Sequence, residues 1–193
     1  MKVKQETVKS GYRQEVGRFF EKIMVNTGTG RLSQQPNFSA EGGSASGGEG
    51  KKGILAQIMR DLSLITGQAP QICRAKKSIA GFKLREGQIV GLSVTLRRTK
   101  MVDFFERLIK IVLPRVRDFN GLSRSAIDKG GVLNIGLKEQ FVFPELSPEH
   151  SPVVFSLGIS LVPRLKNRQA AIDMLLRLGV PLKRLKQQQK TKN

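Results

Sequence analysis

The 193-residue chain has one cysteine, one histidine, one tyrosine and no tryptophan. A lone cysteine, Cys73, excludes a disulfide framework within the chain and a thiolate zinc site. A lone histidine, His150, excludes chemistry that needs a histidine pair. Cys73 reads as a small buried apolar residue and His150 sits in a Pro/Ser loop, so neither supports catalysis. No apolar run approaches the ~18–20 residues a membrane helix requires, and no membrane partner is expected. The opening MKVKQETVKSGYRQEV lacks the apolar core of a secretion signal, and Glu6 and Glu15 argue against a transit peptide. Acid is scarce: 15 Asp+Glu stand against 34 Lys+Arg, a net charge of +19. Such a charge repels itself and gathers polyanions. The expected partner is nucleic acid, with an anionic membrane surface the weaker alternative.

No cofactor or metal site emerges, and the chain reads as a non-enzyme. There is no Walker motif. Gly28-Thr29-Gly30 opens like a dinucleotide fingerprint but lacks its third glycine and following helix; a glycine turn at a strand end is the simpler reading. Asp103 and Glu106 sit among cations and read as ordinary surface ion pairs.

The composition divides the chain into a short N-terminal segment with the first strand (1–30), a Gly/Ser-rich flexible insertion (31–53), an α+β RNA-binding core (54–181) and a disordered basic tail (182–193). The insertion, with NFSAEGGSASGGEGKKG, has almost no large apolar group to offset its ordering entropy. Ahead of it a short helix is possible within 1–22, and 23–27 reads as a strand. The apolar stripe Ile54, Leu55, Ile58, Met59, Leu62, Ile65 predicts a helix over 54–66, with Gly67 as its C-terminal cap. Strands follow at 71–75 and 88–96. A second stripe, Met101, Phe104, Phe105, Leu108, Ile109, Val112, predicts a helix over 101–113, with Thr99 as N-cap and Pro114 as terminator. Arg107 and Lys110 lie off this stripe, facing water or RNA. Residues 115–131 show no clear element. Strands are expected at 132–137 and 153–162, and a helix at 167–178 capped by Asn167. The resulting fold class is α+β: an antiparallel or mixed β-sheet with helices packed on one face and the other face available for RNA.

Charge is concentrated between Cys73 and Arg117, where 12 cations meet 3 acids. A merely solvated face would mix the signs. Within this block Arg74, Lys76, Lys77, Lys83 and Arg85 surround Ile79 and Phe82. The cations suit phosphate, and an exposed Phe82 could stack on a base. The alternative, with Ile79 and Phe82 turned into the core, is equally compatible with the composition.

The stretches DLSLITGQAP, RAKKSIAGFKLREGQIVGLSVTLRR, FFERLIKIVLPRVRDFNGLS and GVLNIGLKEQFVFPE run collinearly between Asp61 and Glu145. Together they resemble the bacterial-type large-subunit ribosomal protein L-five family, and VNTGTG resembles that family's Val-Asn-Met-Gly-Val-Gly turn. The resemblance implies an antiparallel sheet with helices on one face and a structural role in the large ribosomal subunit, binding 5S ribosomal RNA in the central protuberance. It implies ribosomal-RNA contacts at Asn26, Gln68, Phe82 and Thr95. It implies a basic loop (Arg74, Lys76, Lys77, Lys83, Arg85) directed at peptidyl-site transfer RNA. It also implies an intersubunit region (Arg117, Arg124, Lys129) facing small-subunit protein thirteen, with other central-protuberance proteins as neighbours. The chain departs from the family in three places: a shorter N-terminus that reduces or replaces the opening helix, the Gly/Ser-rich insertion, and the Lys-rich tail. These embellishments point to a mitochondrial ribosome, with a plastid or bacterial one as alternative. The competing functions are an RNA-binding regulator or an RNA-acting enzyme outside the ribosome. The first lacks RNA-recognition-motif aromatics and helix-turn-helix spacing; the second lacks a clustered acid pair.

Overall fold

The computed structural model describes residues 2–30, 53–82, 84–149 and 151–183, with side chains from Gly11 onward. The expected insertion apart from Gly53, the tail beyond Lys183, and both Lys83 and His150 lie outside the described residues. The strands are β1 (Phe20–Gly28), β2 (Gln71–Arg74), β3 (Ile89–Leu96), β4 (Leu133–Leu137) and β5 (Leu157–Pro163). They form one sheet in the order β2-β3-β1-β5-β4, and every ladder is antiparallel. The helices are α1 (Lys2–Phe19), α2 (Ile54–Thr66), α3 (Arg98–Arg107) and α4 (Arg168–Arg177). The fold is therefore α+β, with an antiparallel rather than a mixed sheet.

Alternation along the strands decides which face is covered. Ile23, Val25, Leu92, Val94, Leu96, Leu133, Ile135, Leu137, Leu157, Ile159 and Leu161 are all buried. They meet the apolar stripes of α2 (Leu55, Ile58, Leu62, Ile65) and α3 (Met101, Phe104, Phe105). Burying each such side chain stabilises the fold by about 1.5–3 kcal/mol. Phe20 joins strand to helix, its ring centroid 4.9 Å from that of Phe105. The residues between these positions face the other way, where no helix among the described residues covers them.

The helix over 54–66 forms as its stripe predicts, and Gly67 ends it in the left-handed region (φ 67°) with its N–H on the Ser63 carbonyl. Asn167 caps α4 by accepting from the N–H groups of Gln169 and Ala170. Three helix readings are corrected. First, the opening helix is 18 residues long rather than short or replaced. Second, α3 begins earlier than its stripe suggests: its N-cap is Arg97, without a side-chain cap bond, and Thr99 lies inside the helix. Third, Pro114 does not stop the helix. A π-turn at Leu108–Val112 follows α3, and a last helical turn, Leu113–Arg115, follows that. There the Leu113 N–H reaches five residues back to the Leu108 carbonyl. This wider turn accommodates a residue that has no N–H and whose ring crowds a regular helix. Arg107 and Lys110 are also not free: Arg107 bonds Glu145 and the Ile65 carbonyl, and Lys110 pairs with Glu106. Arg13 of α1 bridges Asp103 and Glu106, so these carboxylates do serve as surface ion pairs.

The last strand is shorter than expected. Instead of pairing from Val153, the backbone there is held by the buried Gln140, whose amide donates to the Val153 carbonyl and accepts from the Phe155 N–H. Nearby, Ser151 donates to the buried carboxylate of Asp61 and ties this segment to α2. Burial pushes the Asp61 carboxyl above its ordinary value, against the lowering effects of the Ser151 bond and the Arg60 charge.

Candidate nucleic-acid interface

The uncovered face of the sheet is built from the residues that alternate with the core. One row crosses all five strands: Gln71 of β2, Ser93 of β3, Asn26 of β1, Gly158 of β5 and Gly136 of β4, each a cross-strand partner of the next. A second row holds Thr95, Met24, Ser160 and Asn134. The Ser160 hydroxyl bonds Asn134 Oδ1 at 2.7 Å. Apart from Met24, the two rows consist of amides, hydroxyls and glycine, and they contain no charged side chain. This surface can offer and accept hydrogen bonds at base edges, riboses and phosphate oxygens.

The structure brings three of the four expected RNA contacts together. Asn26 is exposed at the centre of the first row. Thr95 is half-buried in the second row, two residues along β3 from Ser93. Gln68 is exposed just beyond the α2 cap, and its Nε2 donates to the Thr95 carbonyl at 3.4 Å, where β2 has not yet begun to pair. Phe82 stands apart from these. It closes a short 3-10 turn, Ala80–Phe82, in the hairpin between β2 and β3. Six residues of strand rise, about 20 Å, separate Thr95 from Ile89 at the hairpin end of β3. An isolated Ile79–Leu84 bridge holds this turn. Phe82 is 74% exposed and Ile79 48%, so both point outward and the core alternative falls.

The hairpin cations Lys76, Lys77 and Arg85 are exposed. Arg74, also exposed, donates to the Gly87 carbonyl and so stiffens the base of the hairpin. Cys73 is half-buried in β2 rather than buried, because it belongs to the uncovered face. In the region expected to face the small subunit, Arg117 and Lys129 are exposed. Arg124 is different: it is partly buried, and its Nε is shut from solvent without a partner among the described residues. Its carbonyl accepts from Arg168.

Sequence reasoning missed the far half of the face. Beside Asn26 lies an open hollow of about 400 Å³, lined in part by Gly28, Gly136, Lys138, Ser156 and Gly158. The strings LNIGL and LGISL carry Gly136 and Gly158 at mirrored places, as antiparallel partners require, and a glycine inside each of two strands was the available signal. Thr29, in the VNTGTG turn, is fully buried, and its hydroxyl has no partner among the described residues.

Residues 89–182 match the family model for the C-terminus of the ribosomal protein L5 family, and residues 45–85 match the one described as Ribosomal protein L5. The chain is 41% identical over 167 residues to the large ribosomal subunit protein uL5 of Chlorobaculum tepidum, covering 86% of this chain and 82% of that protein. It is 41% identical over 169 residues to the large ribosomal subunit protein uL5c of Porphyra purpurea, covering 88% and 84%. It is 40% identical over 163 residues to the uL5 protein of Syntrophomonas wolfei, covering 84% and 83%.

Proposed function

The chain belongs to the uL5 family of large-subunit ribosomal proteins, and from that premise we propose that it anchors 5S ribosomal RNA in the central protuberance through the uncovered face of its sheet. As a member of that family it is a structural constituent of the large ribosomal subunit with ribosomal-RNA partners, and it is not an enzyme. The observation that carries the 5S reading is the convergence of Asn26, Thr95 and Gln68 on one polar surface, free of helices among the described residues, in a chain whose charge is +19. The rows supply the local hydrogen bonds, and the surrounding cations supply the long-range attraction.

The hairpin carries a second contact in this proposal. Exposed Lys76, Lys77 and Arg85 meet the backbone of peptidyl-site transfer RNA, which cations engage without reading sequence, while Phe82 at the turn contacts ribosomal RNA. Arg117 and Lys129 face small-subunit protein thirteen across the subunit interface, and neighbouring central-protuberance proteins complete the surroundings. The Gly/Ser-rich stretch and the Lys-rich end favour a mitochondrial ribosome. The bacterial and plastid sources of the relatives favour the alternative, a ribosome of one of those two kinds.

Titrating the protein with a 5S transcript across ~50–200 mM salt tests the core of the proposal. If about six phosphates are neutralised, log affinity falls against log salt with a slope of about −4 to −5. Sedimentation of the large subunit after a salt wash, followed by RNA sequencing of the particle, identifies the RNA that the protein accompanies. Its absence from the large-subunit peak, or a flat salt response, counts against the assignment.

A further inference from the structure

Three glycines line one hollow at an end of the uncovered face: Gly158 on β5 and Gly136 on β4 are cross-strand partners, and Gly28 lies two residues along β1 from Asn26, the other partner of Gly158. Glycine within a strand weakens it and marks places where a ligand or another backbone comes close. None of the three has a positive φ. A β-carbon at Gly28 or Gly136 would meet nothing within 4 Å. Only Gly158 is required from within, because Asn26 Oδ1 lies against the position its β-carbon would take. The fold therefore explains one of the three glycines. The other two keep an open floor of bare peptide, walled by the Asn26 amide and flanked by the exposed side chains of Lys138 and Ser156.

We infer that this hollow receives one unpaired, unstacked nucleotide of the bound ribosomal RNA. Its base lies on the glycine floor, its edge meets the Asn26 amide and its phosphate meets Lys138. The inference rests on the RNA-binding reading above and narrows it. A regular A-form helix offers only groove edges, riboses and phosphates, because its bases are stacked on one another. A flat floor with an amide at its wall is suited to the face and edge of a splayed base, the form in which RNA sequence is usually read. The Asn26 amide both donates and accepts, as a base edge demands, and Lys138 is a point charge for the adjoining phosphate. At about 400 Å³ the hollow lies in the lower part of the ~300–1,000 Å³ range of small-ligand sites, a size that suits one nucleotide.

Gly136→Val is the deciding change. Its side chain enters open space and valine favours strands, so the variant should melt at or above the parent temperature while filling the hollow. Ser156→Glu blocks the same place by charge from an exposed rim position, and it serves if the valine lowers the melting temperature. Measured against a 5S transcript at fixed salt, each variant should bind at least tenfold more weakly than the parent. Probing by 2′-hydroxyl acylation should show one unpaired nucleotide that the parent protects and both variants release. Parental affinity and protection in both variants would overturn the hollow while leaving 5S binding in place. Release confined to paired nucleotides would overturn the unpaired occupant. A parent that does not bind the 5S transcript would overturn the reading beneath it and this inference together.

Discussion

Replacing Phe82 by alanine separates the proposed RNA contact from folding. A phenylalanine fully removed from water buries about 150–250 Å², and its loss from a core costs about 3–5 kcal/mol. Phe82 is 74% exposed, so roughly a quarter of that area, about 50 Å², is sheltered. At about 25 cal/mol per Å² this amounts to about 1 kcal/mol of stability at most. Stacking of an exposed aromatic on a base contributes about 1–3 kcal/mol, which is about a 5- to 150-fold loss of affinity when removed. Urea denaturation and fluorescence anisotropy with the 5S transcript, and with transfer RNA on reassembled ribosomes, measure the two quantities on one variant. The expected pattern is a nearly unchanged urea midpoint with weakened RNA binding. A stability loss of about 3 kcal/mol or more, the scale of a core phenylalanine, or native affinity for both RNAs, refutes the reasoning.

Asn26→Ala and Thr95→Ala should each weaken 5S binding by about 1–2 kcal/mol, the scale of a hydrogen bond lost to a desolvated partner, with melting temperatures near the parent's in calorimetry. Thr29→Val should stabilise the protein by about 1 kcal/mol in urea titration, because it removes a buried hydroxyl that has no partner among the described residues; a loss of stability would mean that the hydroxyl is satisfied. Burial raises the folded-state pKa of Asp61 above its unfolded value, so folding takes up a proton there. Its contribution to stability is therefore greatest below the unfolded pKa and declines as pH rises through the folded one. Asp61→Asn, which keeps an oxygen for Ser151, should flatten that decline in a pH series of melts and raise stability at neutral pH.

Helix α2 was legible because one unbroken apolar stripe and a left-handed glycine say the same thing twice. Helix α1 was not, because its apolar residues (Val3, Val8, Tyr12, Val16, Phe19) are sparse among polar and basic ones, and so thin a stripe gives no measure of length. The end of the α3 segment was misread because Pro114 forbids a regular helix but permits the widened turn that precedes it. Of the site, Asn26, Gln68 and Thr95 came from the family resemblance, and strand pairing then placed Asn26 and Thr95 on one face. The glycine hollow stayed hidden because its floor joins three strands whose adjacency no local pattern encodes. The orientation of Phe82 was undecidable from composition, since an apolar residue among cations suits either side of a surface.

The five-strand row has a temporal consequence. Its middle strand, β1, leaves the ribosome making it first, yet the neighbours on its two sides begin at Ile89 and Leu157. Until β3 arrives, β1 has no strand to pair with, and until β5 arrives one of its edges stays open, a template for unwanted pairing. Asn26 meets Gly158 only after more than 130 further residues have been added, a closure of high sequence separation that forms slowly. The nascent chain thus carries its positive charge long before it carries a finished surface. It can be attracted to any RNA early, but its five-strand face is complete only once its own C-terminal third has docked.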